Sequence, residues 1–380
     1  MNDDFNYSRR ETTTVDVGGV KMGSGYPVRV QSMTNTDTND IEASAAQCLR
    51  IAQAGGEIVR LTAQGVREAQ SIGLVRQRLR EQGCNVPLVA DIHFNPRAAY
   101  AAAQVTDKVR INPGNFVDPA RTFKSLTYTP DEYAAELRHL HDALVPFIDL
   151  CRQHHTAVRL GVNHGSLSDR IMSRYGNTAA GMVESVMEFL RVFVEQHFLD
   201  VVISMKASNV VVMVEAVDAE HMHFPLHLGV TEAGFGDDGR VKSAVGIGCL
   251  MAEGLGDTVR VSLSEAPEAE IPVARKLVDY MASREGHTPI AGTFSPGHSQ
   301  RNGQKEKSIR CYIYDSAYRK NPKRCPGISE RSLCAGAHII EDHKRKTKGI
   351  DPHVDDGIFH ALPGRVQQNE ERSGKKDADN

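Results

Sequence analysis

Ala157-Val158-Arg159-Leu160-Gly161 is a β-branched run that ends on glycine between two stretches of helical period, 131–153 and 181–196, and it decides the fold of this 380-residue chain. The run is too short for a helix, while its flanks are long and repeat every 3.6 residues, so the local order is helix, strand, helix. Seven more runs of the same kind surround it: Val28-Arg29-Val30-Gln31, Ile58-Val59-Arg60-Leu61, Pro87-Leu88-Val89-Ala90-Asp91, Lys108-Val109-Arg110-Ile111, Val201-Val202-Ile203-Ser204-Met205, Pro225-Leu226-His227-Leu228 and Thr258-Val259-Arg260-Val261. Helical periodicity fills the spaces at 41–54, 69–82, 209–219, 241–253 and 271–284. Eight strand–helix alternations over roughly 260 residues predict an α/β fold, a (β/α)8 TIM barrel. A doubly wound open sheet is the alternative, because periodicity does not show closure. Ahead of the first barrel strand, Thr12 to Met22 alternates about Gly18-Gly19 and predicts a hairpin able to plug the N-terminal mouth.

An apolar content of 40% and a charged content of 24% fit a globular chain and exclude a fibrous or wholly disordered one. No apolar run approaches the length of a membrane span. The start, Met1-Asn2-Asp3-Asp4-Phe5-Asn6-Tyr7, is polar and acidic where a secretory signal would be basic and then apolar, so a cytoplasmic location is expected. Cysteines at 48, 84, 151, 249, 311, 325 and 334 are scattered and contain no Cys-x-x-Cys, which predicts reduced thiols. The net charge of −3 conceals 28 basic against 36 acidic residues in 1–285, and 17 against 12 in 286–380. Apolar content falls at the same point, from about 44% to about 27%. The expected organisation is a disordered N-terminus (1–11), a barrel that forms the substrate-binding domain (12–286), and a basic, weakly folded or disordered C-terminal tail (287–380).

Chemistry concentrates at the ends of the strands. Side chains alternate across a strand, so Arg110 shares a face with Asn112, Arg159 with Gly161 and Asn163, Ser204 with Lys206 and Ser208, Arg260 with Ser262, and Asp91 with His93. With those faces turned inward, Arg60, Arg110, Arg159, Lys206 and Arg260 converge on one mouth. So much buried positive charge needs anionic compensation, and guanidinium forks match phosphate oxygens, which points to a small molecule carrying two or more phosphates. Buried salt bridges are the competing explanation, but Asp91 and Glu232 are the few acids in register. Long connections, Asn112 to Pro130 and Asn163 to Ala180, follow strands four and five, and their Gly-bearing turns can offer backbone N–H groups to a phosphate. Glu232, just past strand seven, is either a salt-bridge partner or a general acid or base toward a substrate hydroxyl. His93, beside Asp91, is read as orienting substrate, and His227 as a core histidine. The sixteen histidines show no metal-ligand spacing.

Several long strings in a fixed order carry a family resemblance: Pro27-Val28-Arg29-Val30-Gln31-Ser32-Met33-Thr34, Val89-Ala90-Asp91-Ile92-His93-Phe94, Val109-Arg110-Ile111-Asn112-Pro113-Gly114-Asn115, Arg159-Leu160-Gly161-Val162-Asn163-His164-Gly165-Ser166-Leu167, Ser204-Met205-Lys206-Ala207-Ser208 and His227-Leu228-Gly229-Val230-Thr231-Glu232-Ala233-Gly234. Across residues 8 to 285 the chain resembles the larger form of the 4-hydroxy-3-methylbut-2-enyl diphosphate synthase family, iron–sulfur oxidoreductases of isoprenoid biosynthesis. The resemblance implies a barrel that binds 2-C-methyl-D-erythritol 2,4-cyclodiphosphate and supports its reductive ring opening and dehydration. It implies phosphate contacts from Arg60, Arg110, Arg159, Lys206 and Arg260 with Asn112, Asn163, Ser208 and Ser262, and catalytic roles near the substrate hydroxyls for Asp91, His93 and Glu232. It also implies a [4Fe-4S] cluster reduced by ferredoxin or flavodoxin, on a separate C-terminal domain, and pairing as a homodimer.

The sequence departs from this pattern after the barrel. The family's cluster ligands are a Cys-x-x-Cys pair, a third cysteine and a glutamate, and no such set is present; Cys311, Cys325 and Cys334 read as ordinary thiols in basic surroundings. A truncated or frameshifted reading frame is therefore expected, able to bind substrate and unable to reduce it alone. The alternatives are a pterin-diphosphate-binding transferase barrel and a catalytically inactive diphosphate-binding fragment. Nucleic-acid binding through the tail is disfavoured, because its charges alternate in sign and no aromatic platform accompanies them.

Overall fold

A strand of a closed barrel is buried on both faces, and this is how the β-branched runs lie. The structure, a computed structural model, describes residues 7–92, 95–118, 127–206 and 223–286. A hairpin of β1 (Val15–Val17) and β2 (Val20–Met22) precedes eight barrel strands: β3 (Arg29–Met33), β4 (Ile58–Ala63), β5 (Leu88–Ile92), β6 (Lys108–Ile111), β7 (Ala157–Asn163), β8 (Val201–Lys206), β9 (His227–Leu228) and β10 (Thr258–Val259). All neighbouring barrel strands are parallel, in the order β8-β7-β6-β5-β4-β3-β10-β9. The ring closes through a parallel bridge between Ile203 and Leu226, with the Ile203 N–H donating to the Pro225 carbonyl at 2.9 Å. The barrel is the predicted one, and closure removes the open-sheet alternative.

Capping chemistry sets the helix limits. Asp40 accepts from the Ala43 N–H at the start of α1 (Ile41–Gln53). Thr129 and Glu132 form a reciprocal capping box with Pro130 at the first turn of α4 (Pro130–His154). Between them lie α2 (Val66–Glu81) and α3 (Pro96–Ala103). Helix α5 (Asp169–Tyr175) begins on Ser168 and stands inside what the sequence reads as the long loop from Asn163 to Ala180. Seven residues complete fewer than two turns, too few for a period to register. Helices α6 (Ala179–Glu195), α7 (Gly236–Ala252) and α8 (Glu270–Ala282) complete the described set. The helix expected at 209–219 lies outside the described residues.

The hairpin closes the N-terminal end. Val15, Val17 and Met22 are fully buried against Ile58, Val89, Ala157 and Val202, which are inward residues near the starts of four barrel strands. Gly18 and Gly19 turn the hairpin at φ 58° and 91°, a region where an L side chain is strained. Residues 7–11 correct the expectation of a disordered stretch over 1–11. Tyr7 is buried and its N–H donates to the Arg284 carbonyl at 3.1 Å, the Arg10 N–H donates to the Gly254 carbonyl at 2.9 Å, and the Arg9 guanidinium bonds Asp257. Residues 1–6 and the tail 287–380 lie outside the described residues. Among the described residues no helix is long and apolar enough to cross a membrane.

Candidate functional site

Each barrel strand places one face inward, and above the apolar floor those faces are polar. Arg60 comes from β4, Asp91 from β5, Arg110 from β6, Arg159 from β7, Lys206 from β8, and Arg260 from the residue after β10. Direct cross-strand pairing puts Asp91 opposite Arg110, Arg110 opposite Arg159, and Asn163 opposite Lys206. The convergence expected from alternation is therefore present. Asn112, Asn163 and Ser262 stand at the same strand ends, whereas His93 and Ser208 lie outside the described residues.

Three of the five cations are held by carboxylates. Asp91 lies 3.4 Å from Arg60 and 3.3 Å from Arg110. Glu270, at the start of α8, takes Arg260 on both oxygens at 3.1 and 3.0 Å and accepts from the Ser32 hydroxyl at 2.7 Å. The Met33 sulfur accepts from Arg60 at 2.8 and 3.1 Å and from Arg260 at 3.5 Å, so it lies between the two guanidiniums. Sequence reading missed Glu270, because a lone acid in a helix first turn looks like an ordinary dipole partner. Asp91, which the resemblance places among catalytic residues, here orients two arginines, a role its ionised form serves.

Arg159 and Lys206 differ from the other three. Among the described residues neither has a carboxylate within salt-bridge distance, and both are at least nine-tenths buried. Two nitrogens of Arg159, Nε and Nη1, have no hydrogen-bond partner among the described residues. Burial, and then the fields of Arg60 and Arg110, push the Arg159 pKa well below its ordinary value; burial, Arg159 and Arg60 do the same to Lys206. Burying an uncompensated cation is costly, so these two groups are where an anion would gain most.

Gly161 makes room for the arrangement. The Arg110 guanidinium donates to the Gly161 carbonyl at 2.7 Å, and a methyl at Gly161 would sit 2.3 Å from Arg110 Nε. Gly161→Ala is expected to cost about 1–3 kcal/mol of stability and to displace Arg110 from Asp91. Thermal unfolding together with titration of a diphosphate checks both effects, and a variant with native anion affinity would show that Arg110 is not needed in its present place.

The two long strand-end loops are locked together. Asn112 donates to the Ser166 hydroxyl at 2.8 Å and accepts the Gly114 N–H at 3.1 Å, and a Cβ at Gly114 would lie 1.7 Å from the Ser166 carbonyl oxygen. Behind them, the buried Arg170 of α5 grips Asp118 at 2.5 and 3.1 Å and Glu188 of α6 at 2.8 and 3.2 Å, and the Tyr133 hydroxyl donates to Glu188. Glu188 and Asp118 keep the Arg170 guanidinium charged despite its burial. Glu232, in the turn after β9, is exposed and sits at φ 49°, left-handed backbone that among the described non-glycine residues only His155 and His197 share.

A family model described as the GcpE TIM-barrel domain matches residues 12–275. The 4-hydroxy-3-methylbut-2-en-1-yl diphosphate synthase (flavodoxin) of Bacteroides fragilis is 62% identical over 311 residues, covering 80% of this chain and 50% of the relative. The chloroplastic ferredoxin form of Arabidopsis thaliana is 50% identical over 278 residues, covering 71% of this chain and 38% of that protein. The chain thus spans about half the length of curated relatives it matches. Among solved structures, dihydropteroate synthase from Burkholderia cenocepacia is similar with a TM-score of 0.47 at 13% identity, covering 72% of this chain and 99% of that one.

Proposed function

This chain belongs to the GcpE TIM-barrel family, and from that premise we propose that its barrel binds 2-C-methyl-D-erythritol 2,4-cyclodiphosphate for reductive opening and dehydration to 4-hydroxy-3-methylbut-2-enyl diphosphate. The observation that carries this reading is the pair Arg159 and Lys206, buried, inward and without a carboxylate partner among the described residues. Two phosphoryl groups supply the two negative charges that this pair lacks. Arg60, Arg110 and Arg260 are already oriented by Asp91, Glu270 and Met33, so they meet the ligand without reorganising. The Asn112 and Ser166 loops close the same rim.

The overall conversion takes up two electrons and two protons and expels one water. The leaving hydroxyl needs a proton, and Glu232, in the turn that follows β9, is the acid assigned to supply it in this reading. The names of the relatives carry flavodoxin or ferredoxin, and we extend that class of electron donor to this chain. The described residues do not fit an iron–sulfur cluster. No group of three His, Cys, Asp or Glu among them is placed to hold a metal, and Cys48, Cys84, Cys151 and Cys249 are free thiols on the helical layer. Burial raises the Cys48 thiol to about 12 and pushes Cys151 up as well, the opposite of what a thiolate ligand needs. Cys311, Cys325 and Cys334 lie outside the described residues, and no step is assigned to a cluster here.

Calorimetric titration of the full chain with the cyclic diphosphate tests the reading. Saturable binding near one ligand per chain is expected, weakened about 10²-fold in Arg110→Ala. Glu232→Gln, which removes an acidic proton and keeps the side-chain shape, is expected to hold its affinity for the cyclic diphosphate within about threefold. No saturable binding by the native chain would end the proposal.

A further inference from the structure

Beneath the arginines the barrel contains a second polar tier that the phosphate site does not use. Lys108 precedes Arg110 by two residues on β6 and shares its inward face. It is fully buried, and its Nζ has no hydrogen-bond partner among the described residues. Gln31 from β3, His227 from β9 and Thr258 from β10 are also buried, with side-chain polar atoms unpartnered among the described residues, and Thr258 pairs directly with His227 across the strands. Backbone groups cannot explain an interior of this kind, because barrel interiors are ordinarily filled by branched apolar side chains. The charged groups turned inward around Lys108 are Arg60, Asp91, Arg110, Arg159, Lys206 and Arg260, the last already engaged by Glu270. Cations outnumber carboxylates there even before Lys108 is counted.

Resting on the reading of this barrel as a diphosphate site, we propose that Lys108 takes up a proton from solvent when the diphosphate binds, so that the barrel floor carries added positive charge only in the liganded state. The step is Lys–NH2 plus H⁺ giving Lys–NH3⁺, the proton coming from the buffer acid. Burial, and then Arg159 and Arg60, bring the Lys108 amine down to about 7 in the free protein. Negative charge arriving at Arg159 and Lys206 offsets part of the positive field that Lys108 feels, and its affinity for a proton rises. His227 is driven well below its usual range by burial, Lys206 and Arg159, and so stays neutral beside it in the free protein.

The test is calorimetric titration of the full chain with the cyclic diphosphate in buffers of different ionisation enthalpy. That ligand suits the measurement because each of its phosphoryl groups carries a single strongly acidic oxygen, so the ligand itself exchanges no proton near neutrality. At about pH 8 the native chain is expected to take up about 0.5–1 proton more per site than Lys108→Met, and the difference is expected to vanish near pH 6, where Lys108 is already charged. Lys206 and His227 are present in both proteins, so the difference reports the proton taken up at Lys108 together with any it displaces at these two neighbours. Native affinity is also expected to fall more steeply than that of the variant as pH rises above about 7. Lys108→Gln, which keeps the side-chain polarity without titrating, repeats the count should the Met variant fold poorly. Retained binding with equal proton counts would overturn this inference alone, and no binding by the native chain would overturn the diphosphate reading and this inference with it.

Discussion

Arg159→Met is expected to weaken binding of the cyclic diphosphate by about 10²–10³-fold, roughly 3–4 kcal/mol, while the ligand-free protein becomes more stable by about 1–3 kcal/mol. The two effects have one cause. Arg159 is a buried guanidinium that has, among the described residues, two unpartnered nitrogens and no carboxylate to neutralise it. Folding without ligand therefore has to desolvate a charge for no return, and a thioether of similar length removes that cost. Binding, in contrast, loses its most deeply placed donor set. Isothermal titration and denaturant unfolding measured on the same preparation give both numbers. A variant that lost stability along with affinity would mean that Arg159 is part of the scaffold, and would remove the main support for an anion site.

Arg170→Met is expected to have the largest effect on stability, about 3–5 kcal/mol, because it strands Asp118 and Glu188 in the interior. The sign of its pH dependence follows from the geometry. Burial already raises the Asp118 pKa even with Arg170 beside it. Without the guanidinium the Asp118 carboxyl shifts further above its unfolded value, so the folded variant binds more protons than the unfolded chain. Its stability deficit is then smallest in acid and grows as pH rises through the shifted range. Unfolding midpoints at about pH 5 and pH 8, compared with native, check this. A deficit independent of pH would show that packing, not stranded charge, is responsible. Asp118→Asn combined with Glu188→Gln in the Arg170→Met background should restore much of the loss.

The barrel was legible because strand and helix periods are set by backbone geometry, so runs such as Lys108 to Ile111 and Ala157 to Gly161 announce themselves without tertiary context. The inward set was legible for the same reason: alternation fixes which residues share a face with Arg110 and Arg159. What alternation cannot show is who answers each charge. Glu270 reaches Arg260 from a helix, and Met33 sits between two guanidiniums, through contacts that only the closed ring creates. Arg170 was hidden more thoroughly, since it lies on a seven-residue helix in a stretch read as loop, and its partners are 52 and 18 residues distant in sequence. Lys108 was visible as a letter in a strand and nothing more; its isolation is a property of the whole interior.

The Gly18-Gly19 hairpin covers the base of the barrel, where Val15, Val17 and Met22 pack on Ile58, Val89, Ala157 and Val202, and leaves the polar strand ends as the opposite rim. On the proposed reading, substrate and product share that one rim. The two then exclude one another by geometry alone, without any residue dedicated to telling them apart, and water driven out during filling leaves past the same strand ends.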